Sequence, residues 1–177
     1  MLEGAGATAV ADIRSAPVSR FSPHFNRGAL AASLAERNIA YIFLGNELGG
    51  RPARPELYSE GVADYGKMAA SNEFRAGIAR LTEAAARHRV AVMCAEADPL
   101  DCHRCLLVAR ALARDGIEIG HVLASGAVMP HREAEDRLLQ LAGLTEASLL
   151  LSSRDERLAE AYRARARKRA YAVPREA

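Results

Sequence analysis

No stretch of this sequence approaches the roughly 18 uninterrupted apolar residues that a membrane helix requires, so no membrane partner is expected. The opening MLEGAGATAV lacks the basic stretch and the longer apolar run of a secretory signal. There is no internal repeat, and no cysteine lies outside residues 94–105. With all three cysteines in that one segment, no distant pair remains to staple the fold. These absences predict a soluble, cytoplasmic protein whose thiols are kept free or held on a metal. The 177 residues, half of them apolar and 26% charged, suit a single core of ordinary composition.

The formal charge of +2 hides an asymmetry. Residues 154–177 carry a net +4, concentrated in RARARKRAY (163–171), against −2 for the rest of the chain. A basic tail of this kind can contact nucleic acid. At so small a net charge, a solvated helix face is the favoured reading.

Four short apolar runs read as buried strands: ATAVADI (7–13), IAYIFL (39–44), RVAVMCA (89–95) and IEIGHVL (117–123). Helical patterns alternate with them. Asn26 is placed to cap a helix over 28–37, Ser71 or Asn72 one over 73–88, and Asp101 one over 102–115 that ends at Gly116. Beyond Pro130, residues 133–143 and 154–170 read as two further helices. The Gly/Pro-rich segment LGNELGGRPARPELY (44–58) reads as a loop. The alternation predicts a three-layer α/β fold, Rossmann-like or rhodanese-like, with a mainly parallel sheet flanked by helices and a C-terminal helical extension. Residues 1–128 would form the α/β core. Residues 129–177 would form the extension, basic at its end and part of the same domain.

In open α/β sheets ligands bind at the carboxyl ends of the strands, and three groups of candidate residues fall there. Asp12 and Arg14 end the first strand. Glu47, Gly49, Gly50 and Arg51 follow the second. Cys94 and Glu96 end the third, and Cys102, His103 and Arg104 open the next helix. On a parallel sheet all of them share one rim.

Arg104 falls in the first helical turn, where the macrodipole disfavours a cation by a few tenths to about 1 kcal/mol. Its presence there makes sense if it meets an anion together with the exposed N–H groups. The competing explanation is a plain ion pair with Asp98 or Asp101. Cys94, at a strand end and facing a helix start and an arginine, is a candidate nucleophile. The bland alternative is a small apolar residue closing a buried strand. Cys102-His103-Arg104-Cys105 matches C-x-x-C formally, yet Cys105, Val108, Ala109 and Leu112 form one apolar stripe that explains Cys105 as core. A metal site would need Cys94, Cys102, His103 and perhaps His121 to converge, and their spacings match no standard zinc pattern. His121 reads by default as a core histidine. His24, Phe21 and Phe25, in VSRFSPHFN (18–26), read as packing residues.

DIRSAPVSRFSPHFN, ELGGRP and CAEADPLDCHR together resemble a widespread bacterial family known as domain of unknown function 488. The ending LAEAYRARARKRAY resembles that family as well, which makes the tail a family helix rather than a nucleic-acid arm. Family members usually open with a strand and a Gly-His-Ser motif followed by a helix, and MLEGAGATAV resembles the end of that helix. Cys105 stands where the family usually has serine. A looser likeness is to rhodanese-like domains, through Asp12-Ile13-Arg14, Cys94 and the order of the following helix and strand. There the cysteine carries a persulfide, and related phosphatases use it on phosphate.

The resulting expectation is an enzyme acting on a small anionic, phosphate- or sulfur-containing ligand. Cys94 would be its nucleophile and Arg14, Arg51 and Arg104 its charge clamp. Asp12, Glu96 or His103 would move protons or orient the clamp, and Gly49, Gly50 and Cys102 would shape the loops. The alternative is a non-catalytic module binding a nucleotide or nucleic-acid phosphate at the same rim. Neither reading calls for a cofactor or a metal, and nothing in the sequence specifies an oligomeric state.

Overall fold

The computed structural model describes residues 1–145 and 153–174. In chain order the elements are β1 (Ala9–Asp12), α1 (Arg27–Ala35), β2 (Ala40–Phe43) and the one-turn α2 (Gly45–Leu48). A small hairpin of β3 (Tyr58–Ser59) and β4 (Val62–Ala63) precedes α3 (Tyr65–Ala69), α4 (Asn72–Ala85) and β5 (Val90–Met93). A π-wound helical segment (Arg104–Ala109) then runs directly into α5 (Arg110–Arg114). A second hairpin, β6 (Gly120–Val122) with β7 (Val128–Pro130), leads to α6 (His131–Ala142) and α7 (Arg154–Arg169).

The first three apolar runs form one parallel sheet in the order β2-β1-β5. Asp12 pairs with Phe43 on one side and Met93 on the other, so all three strands end at the same edge. Successive side chains of a strand point to opposite faces, and the two faces are covered differently. The rung of Val10, Tyr41 and Ala91 faces α1, where Leu30, Leu34 and Ile39 cover it. The rung of Ala11, Ile42 and Val92 faces the larger core, with Leu48, Phe74, Leu81 and Leu106. This is the three-layer α/β arrangement expected from the alternation.

The fourth run does not join that sheet. Residues 120–122 pair antiparallel with 128–130 instead. The turn between them contains Gly126 at φ +85°, a left-handed conformation that glycine adopts without strain. A tight hairpin therefore wins over a crossover back to the sheet.

Side chains cap the starts of α3, α4 and α7. The Ser71 hydroxyl accepts from Phe74 N–H at 3.2 Å, and Asp64 accepts from Gly66 and Lys67 at 2.9 and 3.1 Å. Three expectations need correction. Asn26 stands at the N-cap of α1, but its side chain accepts from Ser19 N–H at 2.6 Å and so ties the preceding loop. Asp101 does not cap the helix after it, because Arg165 and Arg169 hold its carboxylate; the Cys102 sulfur accepts from Arg104 N–H instead, at 3.2 Å. The segment 44–58 is not all loop, since its start winds into α2 and residues 55–57 form a 3-10 turn.

α7 lies along α6 and buries Leu158, Ala161 and Tyr162 in the main core. Past α7 the chain folds back: Ala63 N–H donates to Tyr171 O and Val173 N–H to Gly61 O, both at 2.8 Å, adding a strand-like edge to the β3–β4 hairpin. No helix among the described residues is long and apolar enough to cross a membrane.

Candidate functional site

The carboxyl edge of the sheet brings the three sequence segments into contact. Ile13 N–H donates to Met93 O at 3.0 Å, and His103 Nε2 reaches the Ile13 carbonyl at 3.1 Å. The loop after β2 closes against both. A Cβ at Gly49 would lie 2.3 Å from Ser15 Oγ, and one at Gly50 would lie 2.9 Å from the His103 ring. Only glycine allows backbone this close, which accounts for the Gly-Gly pair. Arg51 N–H then donates to Ser15 Oγ at 3.0 Å.

Asp12 is fully buried beneath this rim. It receives Arg14 Nε at 2.9 Å and Arg14 Nη2 at 2.7 Å, a two-pronged pair, and the Tyr41 hydroxyl at 2.7 Å. Burial pushes the Asp12 pKa up, but the hydrogen bonds from Arg14 and Tyr41 outweigh it and hold the carboxyl below its usual range. The same bond raises Arg14, while burial and the bond to Asp12 push the Tyr41 phenol up. Asp12 is thus a fixed anion. Arg14 is committed to it, and also donates to Phe25 O at 2.9 Å.

That last bond explains the loop before α1. The aromatic side chains there were expected to pack, but Phe21 is 82% exposed and Phe25 48% exposed. Backbone and polar bonds hold the loop instead. Arg20 lies over the Phe21 ring and His24 lies against Phe25.

Cys94, Glu96 and Cys102 present donor atoms within 4.8 Å of one another. The Cys102 thiol donates to Glu96 Oε2 at 3.0 Å, and half-buried Cys94 lies 3.5 Å from the Glu96 carbonyl. The Cys94 pKa is lowered. Hydrogen bonding from Cys102 contributes most; burial opposes it, and the charge of Arg104 adds to the lowering. Cys102 moves the opposite way, raised by the same coupling and by burial. For Glu96 burial raises the pKa, but the two thiols overcome it and leave the carboxyl lowered. His103 is nine-tenths buried and its pKa is lowered by that burial. Since the Ile13 carbonyl can only accept, Nε2 carries the proton and Nδ1 offers a lone pair 3.8 Å from the Cys102 sulfur.

Arg104 is the unusual member. Its Nε and Nη2 atoms are buried and have no hydrogen-bond partner among the described residues. The bland explanation, a pair with Asp98 or Asp101, does not hold. Asp98 pairs with Arg137 at 3.1 Å, and Asp101 is shared by Arg165 and by Arg169 at 2.9 Å. Buried guanidinium donors are almost always satisfied, so these two nitrogens are free to receive an acceptor. Arg51 lies farther out, its guanidinium 4.7 Å from the Tyr171 ring.

Sequence reasoning missed two tyrosines here. Tyr41 binds Asp12, and a polar residue inside the apolar IAYIFL run was the available signal. Tyr65 is buried beside the thiols: burial raises its pKa first, then the nearby Cys102, Glu96 and Cys94. Glu47 stands apart, paired with Arg80 and lining a groove of about 120 Å³ that includes neither Cys94 nor Arg104.

The fold and site define an α/β protein whose strand-end rim joins two thiols to an unpartnered arginine. The family model described as Domain of unknown function DUF488 matches residues 1–111, and the chain belongs to that family. Comparison with curated proteins and with solved structures found no match. The likeness to rhodanese-like domains gains no support from these comparisons.

Proposed function

We propose that the protein is an enzyme acting on a small anionic substrate, with Cys94 as nucleophile and Arg104 as the partner of the anion. The observation that carries this reading is the pair of buried Arg104 nitrogens without an acceptor beside a thiol of lowered pKa. Two charge-assisted hydrogen bonds from such nitrogens contribute about 1.5–3 kcal/mol each. They would orient a phosphoryl or sulfur-bearing oxyanion toward the thiolate.

Each remaining residue then has a part. Attack joins the Cys94 sulfur to the electrophilic phosphorus or sulfur, and the leaving group departs with the bonding electrons. Ionised Glu96 takes up the thiol proton and can return it to the leaving group, while Cys102 and His103 hold that carboxylate in place. Asp12 and Tyr41 act indirectly, by fixing Arg14 and through it the loop at Phe25. Arg51 is available at the outer edge to meet the rest of the substrate. A reducing, cytoplasmic setting keeps the neighbouring thiols from closing on each other.

The test is a screen of phosphate- and thiosulfate-type substrates with wild type, Cys94→Ser and Arg104→Ala, with inorganic phosphate or sulfate binding followed by calorimetry. The expected result is loss of turnover with anion binding intact in Cys94→Ser, and loss of both in Arg104→Ala. Anion binding without turnover in any protein would instead support a non-catalytic phosphate-binding module. Wild-type anion affinity in Arg104→Ala would overturn both.

A further inference from the structure

A second polar cluster lies in the core against the segment that carries Arg104, and the reaction outlined above makes no use of it. Cys105, His121 and His131 are all buried, at 0%, 4% and 7% exposure. His121 Nε2 stands 2.9 Å from His131 Nδ1 and 3.8 Å from Cys105 Sγ, and the three donor atoms lie within 4.8 Å of one another. The residues come from three elements: the π-wound segment, β6 and the first position of α6. His121 and His131 lie beyond residue 111, outside the span that matches the family.

These distances approach those of a metal's ligand set. With usual zinc bond lengths a tetrahedron places two nitrogens about 3.4 Å apart and a nitrogen and a sulfur about 3.6 Å apart. The observed 2.9 and 3.8 Å differ from these by a few tenths of an ångström, which small side-chain rotations supply.

The surroundings orient the ligands. The Tyr162 hydroxyl donates to Glu135 Oε1 at 3.3 Å and lies 3.2 Å from His131 Nε2. With that hydroxyl hydrogen engaged, Nε2 is the donor and the Nδ1 lone pair points toward His121. A carboxylate behind a ligating histidine, here reaching it at 3.7 Å and through Tyr162, fixes the tautomer that binds metal. Glu135 also offsets part of the added positive charge.

We propose that Cys105 Sγ, His121 Nε2 and His131 Nδ1 form a buried site for a zinc-type divalent cation, with water or another small donor in the fourth position. One thiolate and two imidazoles suit a tetrahedral, borderline-soft ion rather than calcium or magnesium. Cys105 releases its proton on binding, and His121, already neutral, carries its single N–H on Nδ1 when Nε2 binds. The ion would tie the β6–β7 hairpin and α6 to the helix that carries Arg104, so its effect on the rim is through position. The site is independent of the Cys94 reaction and stands or falls separately from it.

The experiment is metal analysis of the purified full chain, followed by Zn²⁺ and Co²⁺ titration of wild type, Cys105→Ala, His131→Gln, Cys94→Ser and Cys102→Ala, with circular dichroism to establish folding. Wild type should bind one equivalent, and the Co²⁺ form should show a thiolate-to-metal charge-transfer band with intense visible bands of a tetrahedral ion. Cys105→Ala should lose the charge-transfer band, and it and His131→Gln should each weaken binding by roughly 100-fold or more, while Cys94→Ser and Cys102→Ala bind as wild type does. His131→Gln keeps a polar side chain of similar reach and decides the matter if Cys105→Ala folds poorly. Absence of the thiolate band from wild type overturns the proposal. So does unchanged affinity in the folded Cys105 and His131 variants, or a loss confined to the Cys94 and Cys102 variants, which would move the metal to the rim.

Discussion

Cys94 lies at the rim and Cys105 in the core, and the charge of Arg104 acts on both. Arg104 lowers the pKa of each, yet Cys94 ends below its ordinary value while Cys105 is pushed up to about 12. For Cys105 burial is the largest influence, and the charge of Arg104 offsets only part of it. For Cys94 the hydrogen bond from Cys102 is the largest influence and burial comes second. A nearby arginine is therefore insufficient to activate a thiol. The neighbouring donor and partial access to solvent separate the two sulfurs, one lowered and the other raised.

The contrast between rim and core is broken most severely by Arg104→Ala. Removing two charge-assisted bonds should weaken phosphate or sulfate binding by about 100-fold to 10,000-fold in calorimetry. Stability should hold or rise slightly in a urea titration, because the lost nitrogens had no partner.

Asp12→Ala probes the support beneath the rim. Breaking a buried pair by removing one member costs about 3–5 kcal/mol, and a shifted urea midpoint at constant slope would register it. The native Asp12 carboxyl is held below its unfolded value. Its contribution is therefore complete at neutral pH and fades as pH falls below about 4, through the native pKa. Asp12→Asn should flatten that part of the acid-stability curve.

Tyr41→Phe removes one of the bonds to Asp12 and should cost about 1–3 kcal/mol by the same measurement. The smallest effect expected is that of Cys102→Ala. It should raise the apparent pKa of Cys94, read from the pH dependence of labelling, with little change in fold.

The legible parts of the sequence were those governed by local pattern. Three apolar runs became the parallel sheet because each is short, continuous and covered on both faces. Their shared edge then followed, and with it the meeting of Asp12, Gly50, Cys94 and His103. The run IEIGHVL is also short and largely apolar yet went elsewhere, because Gly126 closes a hairpin within six residues of Gly120. That competition between a local turn and a distant edge leaves no mark in apolar periodicity.

Pairing partners were equally hidden. Asp101 has the sequence signature of a cap, but α7 returns from far along the chain with Arg165 and Arg169 to claim it. The basic tail thus takes the carboxylate nearest in sequence to Arg104. The Cys105–His121–His131 cluster was invisible for a related reason. Its ligands are separated by 16 and 10 positions, and the hairpin that brings them together was itself read as a strand of the main sheet.

The most direct test of the account is alkylation of the three cysteines in the folded chain as a function of pH, with mass spectrometry locating each label and with chelator present or absent. The account predicts that Cys94 labels rapidly at neutral pH, with an apparent pKa below the ordinary thiol value of about 8.5, and that Arg104→Ala raises it. Cys105 should stay unlabelled until the chain unfolds. A Cys94 that stays inert in the folded protein, or that titrates like a free cysteine whether or not Arg104 is present, would contradict the claim that this rim is built around an activated thiol.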